Sequence, residues 1–193
     1  MTAKPSVFAQ RIASAQTALK ELGLVACLVP SSDPHLSEYL PARWQGREWL
    51  SGFTGSMGTL ALTQTRAALF ADSRYWTQAE AELTGSGIDL VKIETGASTH
   101  HVQWLASQVA AGQAVGVDGA VLGLAAAQQL REALTKVGAT LRTDADVFAH
   151  IWPDRASLPE APVYEHDAAF VGAVRPNVGK HVGIGSQSGT DFG

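Results

Sequence analysis

Arg47-Glu48-Trp49-Leu50-Ser51-Gly52-Phe53-Thr54-Gly55-Ser56-Met57-Gly58-Thr59 decides the fold by the kind of element its glycines lead into. A phosphate-cradling loop delivers its last glycine to a Lys-Ser/Thr pair and the start of a helix. Here Gly58 leads into Thr59-Leu60-Ala61-Leu62, an apolar run with strand character. The dinucleotide-binding pattern fails on the same ground, since it needs a strand before the glycines and a helix after them. Gly52, Gly55 and Gly58 therefore read as a loop needing positive φ or close backbone approach. Gly58–Gln64 and Arg66–Ala71, with the turn at Thr63–Arg66, predict an antiparallel hairpin.

On the C-terminal side, Asp72-Ser73-Arg74-Tyr75 joins the hairpin to a helix over Tyr75–Leu83 that Gly85 and Gly87 stop. Asp72 is placed to cap that helix with its carboxylate. Arg74 carries a planar fork that can turn inward to a carboxylate or outward to a partner. A strand over Ile88–Ile93, a helix over Thr99–Ala111 and a strand over Ala114–Val117 come next. A helix over Leu124–Val137, closed by Gly138, and a strand over Ala139–Arg142 complete the alternation. On the N-terminal side, Ser6 caps a helix with Phe8, Ile12, Ala15 and Leu19 at helical spacing. Gly23 ends it, and Leu24–Val29 reads as a strand buried on both faces. Pro30-Ser31-Ser32-Asp33-Pro34 is turn chemistry, and His35–Leu40 is expected to form one helical turn. The alternation predicts an α/β fold, and the hairpin makes it a mixed β-sheet flanked by helices.

Residues 1–156 are expected to form this domain. Pro153, Pro159 and Pro162 then mark a linker, and the last 22 residues hold six glycines and no leucine. Residues 157–193 are thus expected to be a Pro/Gly-rich linker and poorly ordered tail.

The composition, 46% hydrophobic and 17% charged, is that of a globular protein. A net charge of −4, with no Lys/Arg run, argues against a nucleic-acid partner. No apolar stretch approaches the roughly 20 residues that span a bilayer, so no membrane role is expected. Met1–Lys20 has no continuous apolar core of a signal peptide, which leaves a cytoplasmic location. The single cysteine, Cys27, excludes an internal disulfide and reads as a buried, inert thiol.

Ser56 between glycines approaches a nucleophile elbow, but the spacing is Gly55-Ser56-Met57-Gly58 and a strand comes after it. A hydrolase using Ser56 would also need a positioned His and carboxylate, and sequence places none of the six histidines beside it. His100-His101 is the densest histidine pair, and no Glu, Asp or His occupies 102–105 to complete a metal site, so it reads as a water-exposed helix start. Asp118, before Gly119, reads as a turn residue.

Several groups together resemble the N-terminal domain of the Xaa-Pro aminopeptidases (aminopeptidase P), in the creatinase/prolidase group of pita-bread metallopeptidases. They are Asp33-Pro34-His35-Leu36-Ser37-Glu38-Tyr39, Arg47 through Gly58, Asp72-Ser73-Arg74-Tyr75 with Gln78-Ala79, Gly116-Val117-Asp118, and Ile151-Trp152-Pro153-Asp154-Arg155. They occur in family order over roughly residues 5 to 165. The first is most like the three-domain cytosolic type. Ser73 stands where the family usually has Gly, and Ala156 where Pro often comes after the Arg.

The resemblance implies a creatinase/prolidase N-terminal domain fold. For a whole enzyme it implies hydrolase chemistry, release of an N-terminal residue preceding proline. Two divalent metals, commonly manganese, serve there, held by two Asp, one His and two Glu of a separate catalytic domain. No residue of this chain matches those ligands, so neither a catalytic residue nor a metal or cofactor is assigned to it, and the chain alone is expected to be inactive. The match fades after about Phe170, an ending expected of a natural truncation, a shifted reading frame or a cloned fragment. The implied partner is the missing catalytic domain or a second subunit, with a homodimer also open. Arg47, Phe53, Ser56, Asp72, Arg74 and Tyr75 are the candidates for the cleft border or interface. A freestanding binding or regulatory module paired with a separate catalytic chain is the alternative, and a self-contained Ser56 hydrolase a further one.

Overall fold

Strand β1 (Ala26–Val29) is buried along its whole length because it is hydrogen-bonded on both sides and covered on both faces. In the computed structural model, which describes residues 6–158, 160–162 and 169, residues 6–158 belong to one compact unit. Helix α1 (Val7–Glu21) precedes β1. Its N-cap, Ser6, accepts a hydrogen bond from the Ala9 N–H, and Gly23, at φ +68°, lets the chain reverse into the strand. Next come a 3-10 turn (Ala42–Trp44) and helix α2 (Gly46–Ser51), then the hairpin β2 (Thr59–Thr63) and β3 (Ala67–Asp72). Helix α3 (Trp76–Glu82), β4 (Asp89–Ile93), α4 (His100–Ser107), β5 (Ala114–Gly116), α5 (Leu124–Lys136), β6 (Thr140–Arg142) and α6 (Phe148–Ile151) complete the unit.

The six strands form one sheet in the order β4-β3-β2-β1-β5-β6. β2 runs antiparallel to both neighbours, and the pairs β3–β4, β1–β5 and β5–β6 are parallel. The expected mixed sheet flanked by helices is therefore present. Because β2 alone is reversed, the C-terminal ends of five strands and the N-terminal end of β2 share one edge of the sheet.

Side chains alternate across the pleat between two cores. Cys27, Val29, Leu60, Leu62 and Leu69 face α1, α2, α3 and α6, where Ile12, Leu19, Leu50, Ala79 and Phe148 meet them. Leu28, Ala61 and Phe70 face α4 and α5, where Val102, Leu105, Leu130 and Leu134 pack. Desolvation pushes the Cys27 thiol up to about 12, so it stays protonated and unreactive.

Two expectations are corrected. His35–Leu40 forms no helical turn, and the helix of this crossing lies later, at Gly46–Ser51, overlapping the start of the Arg47–Gly58 motif. Gly46 starts it because a Cβ there would sit 2.3 Å from the Phe148 ring, and Gly52 ends it at φ +73°. The linker and tail of 157–193, with His166 and His181, lie almost wholly outside the described residues. No described helix is long and apolar enough to cross a membrane.

Leu69 is fully buried in the middle of β3. Leu69→Ala is expected to cost about 3 kcal/mol of unfolding free energy in a urea titration, from lost transfer and cavity terms.

Candidate cleft-border site

The loop Gly52–Gly58 sits on the shared sheet edge, and a buried cation holds it from beneath. Arg47, on the first turn of α2, donates from Nη1 to the Phe53 carbonyl (3.2 Å) and from Nη2 to the Gly55 carbonyl (2.6 Å). Its guanidinium lies 4.8 Å from the centroid of the Phe53 ring. Only 6% of Arg47 is exposed, and its Nε has no partner among the described residues. Burial lowers its pKa to about 10, against the opposing pull of Glu48, Glu82 and Tyr75, so it remains charged at neutral pH. Two carbonyls that would otherwise point into the interior are thereby satisfied by a charged donor.

Phe53 is fully buried and meets Tyr75 edge-on, with centroids 5.9 Å apart. The loop passes so close to both rings that a Cβ on Gly55 would lie 2.3 Å from Phe53 Cζ. Ser51 adds a second brace, donating to the Arg47 carbonyl (2.7 Å) and accepting the Phe53 N–H (3.1 Å). On the outer side Glu82, at the end of α3, accepts from the Thr54 N–H (2.9 Å) and hydroxyl (2.7 Å), and Gln78 donates to both residues. Burial raises the Glu82 pKa, yet these hydrogen bonds and the Arg47 charge outweigh it, and the net shift is downward.

Ser56 and Tyr75 share a hydrogen bond of 2.6 Å at the exposed crest of the loop. A tyrosine hydroxyl, rather than a histidine, is thus the group beside Ser56. Asp72 closes the adjacent strand end. It is 4% exposed and accepts the Arg74 backbone N–H (3.1 Å), Nε (3.0 Å) and Nη2 (2.8 Å). The Arg74 fork holds its carboxylate below the usual range, and Asp72 in turn raises Arg74. Arg74 is 62% exposed and passes 5.3 Å from the Tyr75 ring centroid.

The sequence-selected residues thus form one cluster with two kinds of member. Ser56 and Arg74 are exposed and Tyr75 is half-buried. Arg47, Phe53 and Asp72 are interior, so their side chains hold the loop and the strand end from within rather than face solvent. Asp72 does not cap α3 as expected, because its carboxylate is already committed to Arg74 and the N-cap position falls at Tyr75 with no side-chain cap. The histidine pair also divides: His100 is exposed, but His101 is half-buried edge-on to Phe70, at 6.1 Å. Burial, then the neighbouring His100, lowers the His101 pKa. His101 and Asp72 line a cavity of about 130 Å³ with Ser31, Met57 and Ser98. Asp118 makes the expected turn, accepting the Ala120 N–H.

Glu82 and the Arg155–Asp146 pair were not singled out from sequence. Glu82 carried one usable signal, its i+4 spacing from Gln78 on the predicted helix. Arg155 meets Asp146 at 2.6 Å and the Arg43 carbonyl at 2.9 Å, the latter 112 positions away, a contact with no local signature. Among the described residues no group of three or more His, Cys, Asp or Glu is arranged to hold a metal ion.

Residues 11–147 match the family model of the creatinase/prolidase N-terminal domain. Xaa-Pro aminopeptidase 2 of Sus scrofa is 34% identical over 163 residues, which is 81% of this chain and 24% of that protein. The X-prolyl aminopeptidase of Caenorhabditis elegans, described as a cytosolic enzyme with a di-nuclear active site, superposes with a TM-score of 0.70 at 28% identity, covering 79% of this chain and 26% of that one. A creatinase/prolidase-like N-terminal domain from Corynebacterium diphtheriae shares the fold at 23% identity and a TM-score of 0.53, with 94% of its length covered. The chain spans about a quarter of the length of the curated relatives it matches.

Replacing Arg47 by Met should leave the Phe53 and Gly55 carbonyls without their donor. Unfolding free energy is expected to fall by about 2–4 kcal/mol, with faster amide exchange over 53–58. Arg47→Lys should recover less than half, since an ammonium does not reproduce the two-pronged geometry. Acid titration tests Glu82. Its folded pKa lies below its unfolded one, so its contribution is complete above about pH 5 and is lost as pH falls through the folded value. The Glu82→Gln protein should therefore show a flatter acid limb of stability than the parent below about pH 4.5, with the difference visible in urea midpoints.

Proposed function

The chain belongs to the creatinase/prolidase N-terminal domain family, and from that premise we propose that it serves as the non-catalytic domain of an Xaa-Pro aminopeptidase-like protein. In this reading it assembles with a metal-dependent catalytic portion that removes an N-terminal residue preceding proline, and its sheet edge borders that active-site cleft. The observation that carries the reading is convergence. The segments after β1, before β2, after β3 and after β5, distant in sequence, meet on one edge, and three of them are cross-braced by side-chain hydrogen bonds.

The cluster chemistry supports a shaping role. Arg47 and Glu82 are consumed in holding the loop, and Asp72 is consumed in holding Arg74. The groups left facing outward are a serine hydroxyl, a phenol and the outer face of a guanidinium. These suit hydrogen bonding to a peptide or to a neighbouring polypeptide, and none is a metal ligand of the kind a di-nuclear centre requires. Metals therefore belong to the catalytic portion in this reading, and no metal-dependent step is assigned to these residues. A cytoplasmic location is part of the proposal, in line with the description of the Caenorhabditis elegans enzyme as cytosolic.

Purified chain given manganese and an Arg-Pro-Pro peptide is expected to show no turnover above a metal-free control. Metal-dependent release of arginine would overturn the non-catalytic assignment. The border role is tested separately, by grafting residues 6–158 onto a full-length relative in place of its matched segment. There Arg74→Ala is expected to change kcat/KM for longer peptides by about 10-fold, and an unchanged value would remove Arg74 from the border.

A further inference from the structure

The cavity of about 130 Å³ at the sheet edge carries polar groups that the bracing of the Gly52–Gly58 loop leaves with spare capacity. Asp72, at the end of β3, and His101, on the first turn of α4, both line it, with Ser31 after β1 and Ser98 before α4. Met57, Phe70 and Ile93 supply apolar wall between them. Met57 and Gly96 are exposed and stand at its mouth. A Cβ on Gly96 would lie 2.9 Å from the Met57 Cε and 3.5 Å from Asp72 Oδ2. The missing side chain at 96 thus leaves the Asp72 carboxylate open to the cavity.

Each polar group keeps room to accept a hydrogen bond. Asp72 is almost wholly buried, and its Oδ2 accepts only from Arg74 Nη2 (2.8 Å), whereas a carboxylate oxygen has two lone pairs to offer. Among the described residues no group hydrogen-bonds to the His101 imidazole. Burial and the neighbouring His100 keep that ring uncharged at neutral pH, so one of its nitrogens presents a lone pair. The Ser31 hydroxyl gives its hydrogen to the Gly58 carbonyl (2.6 Å) and retains its lone pairs. Ser98 Oγ accepts the His100 N–H (3.3 Å) and has one lone pair left.

Acceptors gathered around a buried carboxylate select a positively charged donor. An anion would meet Asp72 with like charge, and a quaternary ammonium has no N–H to give. A cavity of this size takes a group of a few heavy atoms rather than a drug-sized molecule. We propose that it binds a primary ammonium group on a short aliphatic arm, with Asp72 and His101 accepting its N–H donors and Met57 and Phe70 flanking the arm. The assignment stands on the cavity alone and does not depend on the aminopeptidase reading.

The test is an amide NMR titration of the 193-residue chain with n-propylammonium chloride at neutral pH. Saturable shifts at Met57, Gly96, Ser98 and His101 are expected, with a Kd on the order of 1 mM. Sodium propionate and tetramethylammonium chloride should move these signals no more than sodium chloride does. His101→Phe keeps a ring against Phe70 but removes the acceptor, and Gly96→Val fills the mouth. Each should weaken binding at least about 10-fold while the rest of the amide spectrum stays that of the parent. Should a variant fail to fold, the ligand series on the parent still decides the outcome. Nα-acetyl-lysine amide separates the two carriers of the group. Equal or tighter binding assigns the ammonium to a lysine side chain of another protein and weaker binding to a free short-chain amine, and either result supports the pocket. No saturable shift with either ammonium up to about 50 mM, equal shifts with propionate or tetramethylammonium, or binding that both variants retain overturns the proposal. Release of arginine from an Arg-Pro-Pro peptide by the chain would sink the non-catalytic reading and leave this pocket standing.

Discussion

A guanidinium buried beneath its own loop is the constraint on which the sheet edge depends. Arg47 is taken out of water at a desolvation cost large enough to lower its pKa to about 10. That cost is offset by two charge-assisted hydrogen bonds to the Phe53 and Gly55 carbonyls and by the face of the Phe53 ring. Remove the cation and two inward-facing carbonyls lose their partner, so loop shape and arginine burial stand or fall together. The ring of Phe53, the absence of a side chain at Gly55 and the Tyr75 phenol then pack as one stack.

That stack would be isolated without the reversed strand. Since β2 alone runs against its neighbours, the Gly52–Gly58 loop enters the sheet where β1, β3 and β5 leave it. Ser31, just after β1, donates to the Gly58 carbonyl at 2.6 Å. Ser56 meets Tyr75 beyond β3, and Glu82 reaches back from the end of α3 to Thr54. Arg47, Glu82 and Asp72 are paired internally, which leaves the Ser56 hydroxyl, the Tyr75 phenol and the outer face of Arg74 as the outward chemistry of this cluster.

Much of this was legible from the residues in order. The unbroken apolar run around Cys27, the apolar run Leu60-Ala61-Leu62 and the 3.6-residue spacing of Ile12, Ala15 and Leu19 are local patterns. They predicted the hairpin, the mixed sheet and the flanking helices. The family resemblance, spread over separate motifs, was legible for the same reason. The helix Gly46–Ser51 was missed because a six-residue helix between glycines has weak propensity and is held by the Phe148 ring, roughly 100 positions away. Asp72 was misread because two roles compete for one carboxylate, and the bidentate arginine outcompetes the cap.

Sequence by itself thus determined most of the elements, their alternation and the family, because burial periodicity and turn chemistry act between residues close along the chain. Tertiary structure alone decided which members of the motif face outward. Arg47 and Arg74 are the same residue type in neighbouring motifs, yet one is 6% exposed beneath a loop and the other stands largely in solvent. The difference lies in what surrounds each side chain after folding, and desolvation depends on neighbours that the linear order does not place.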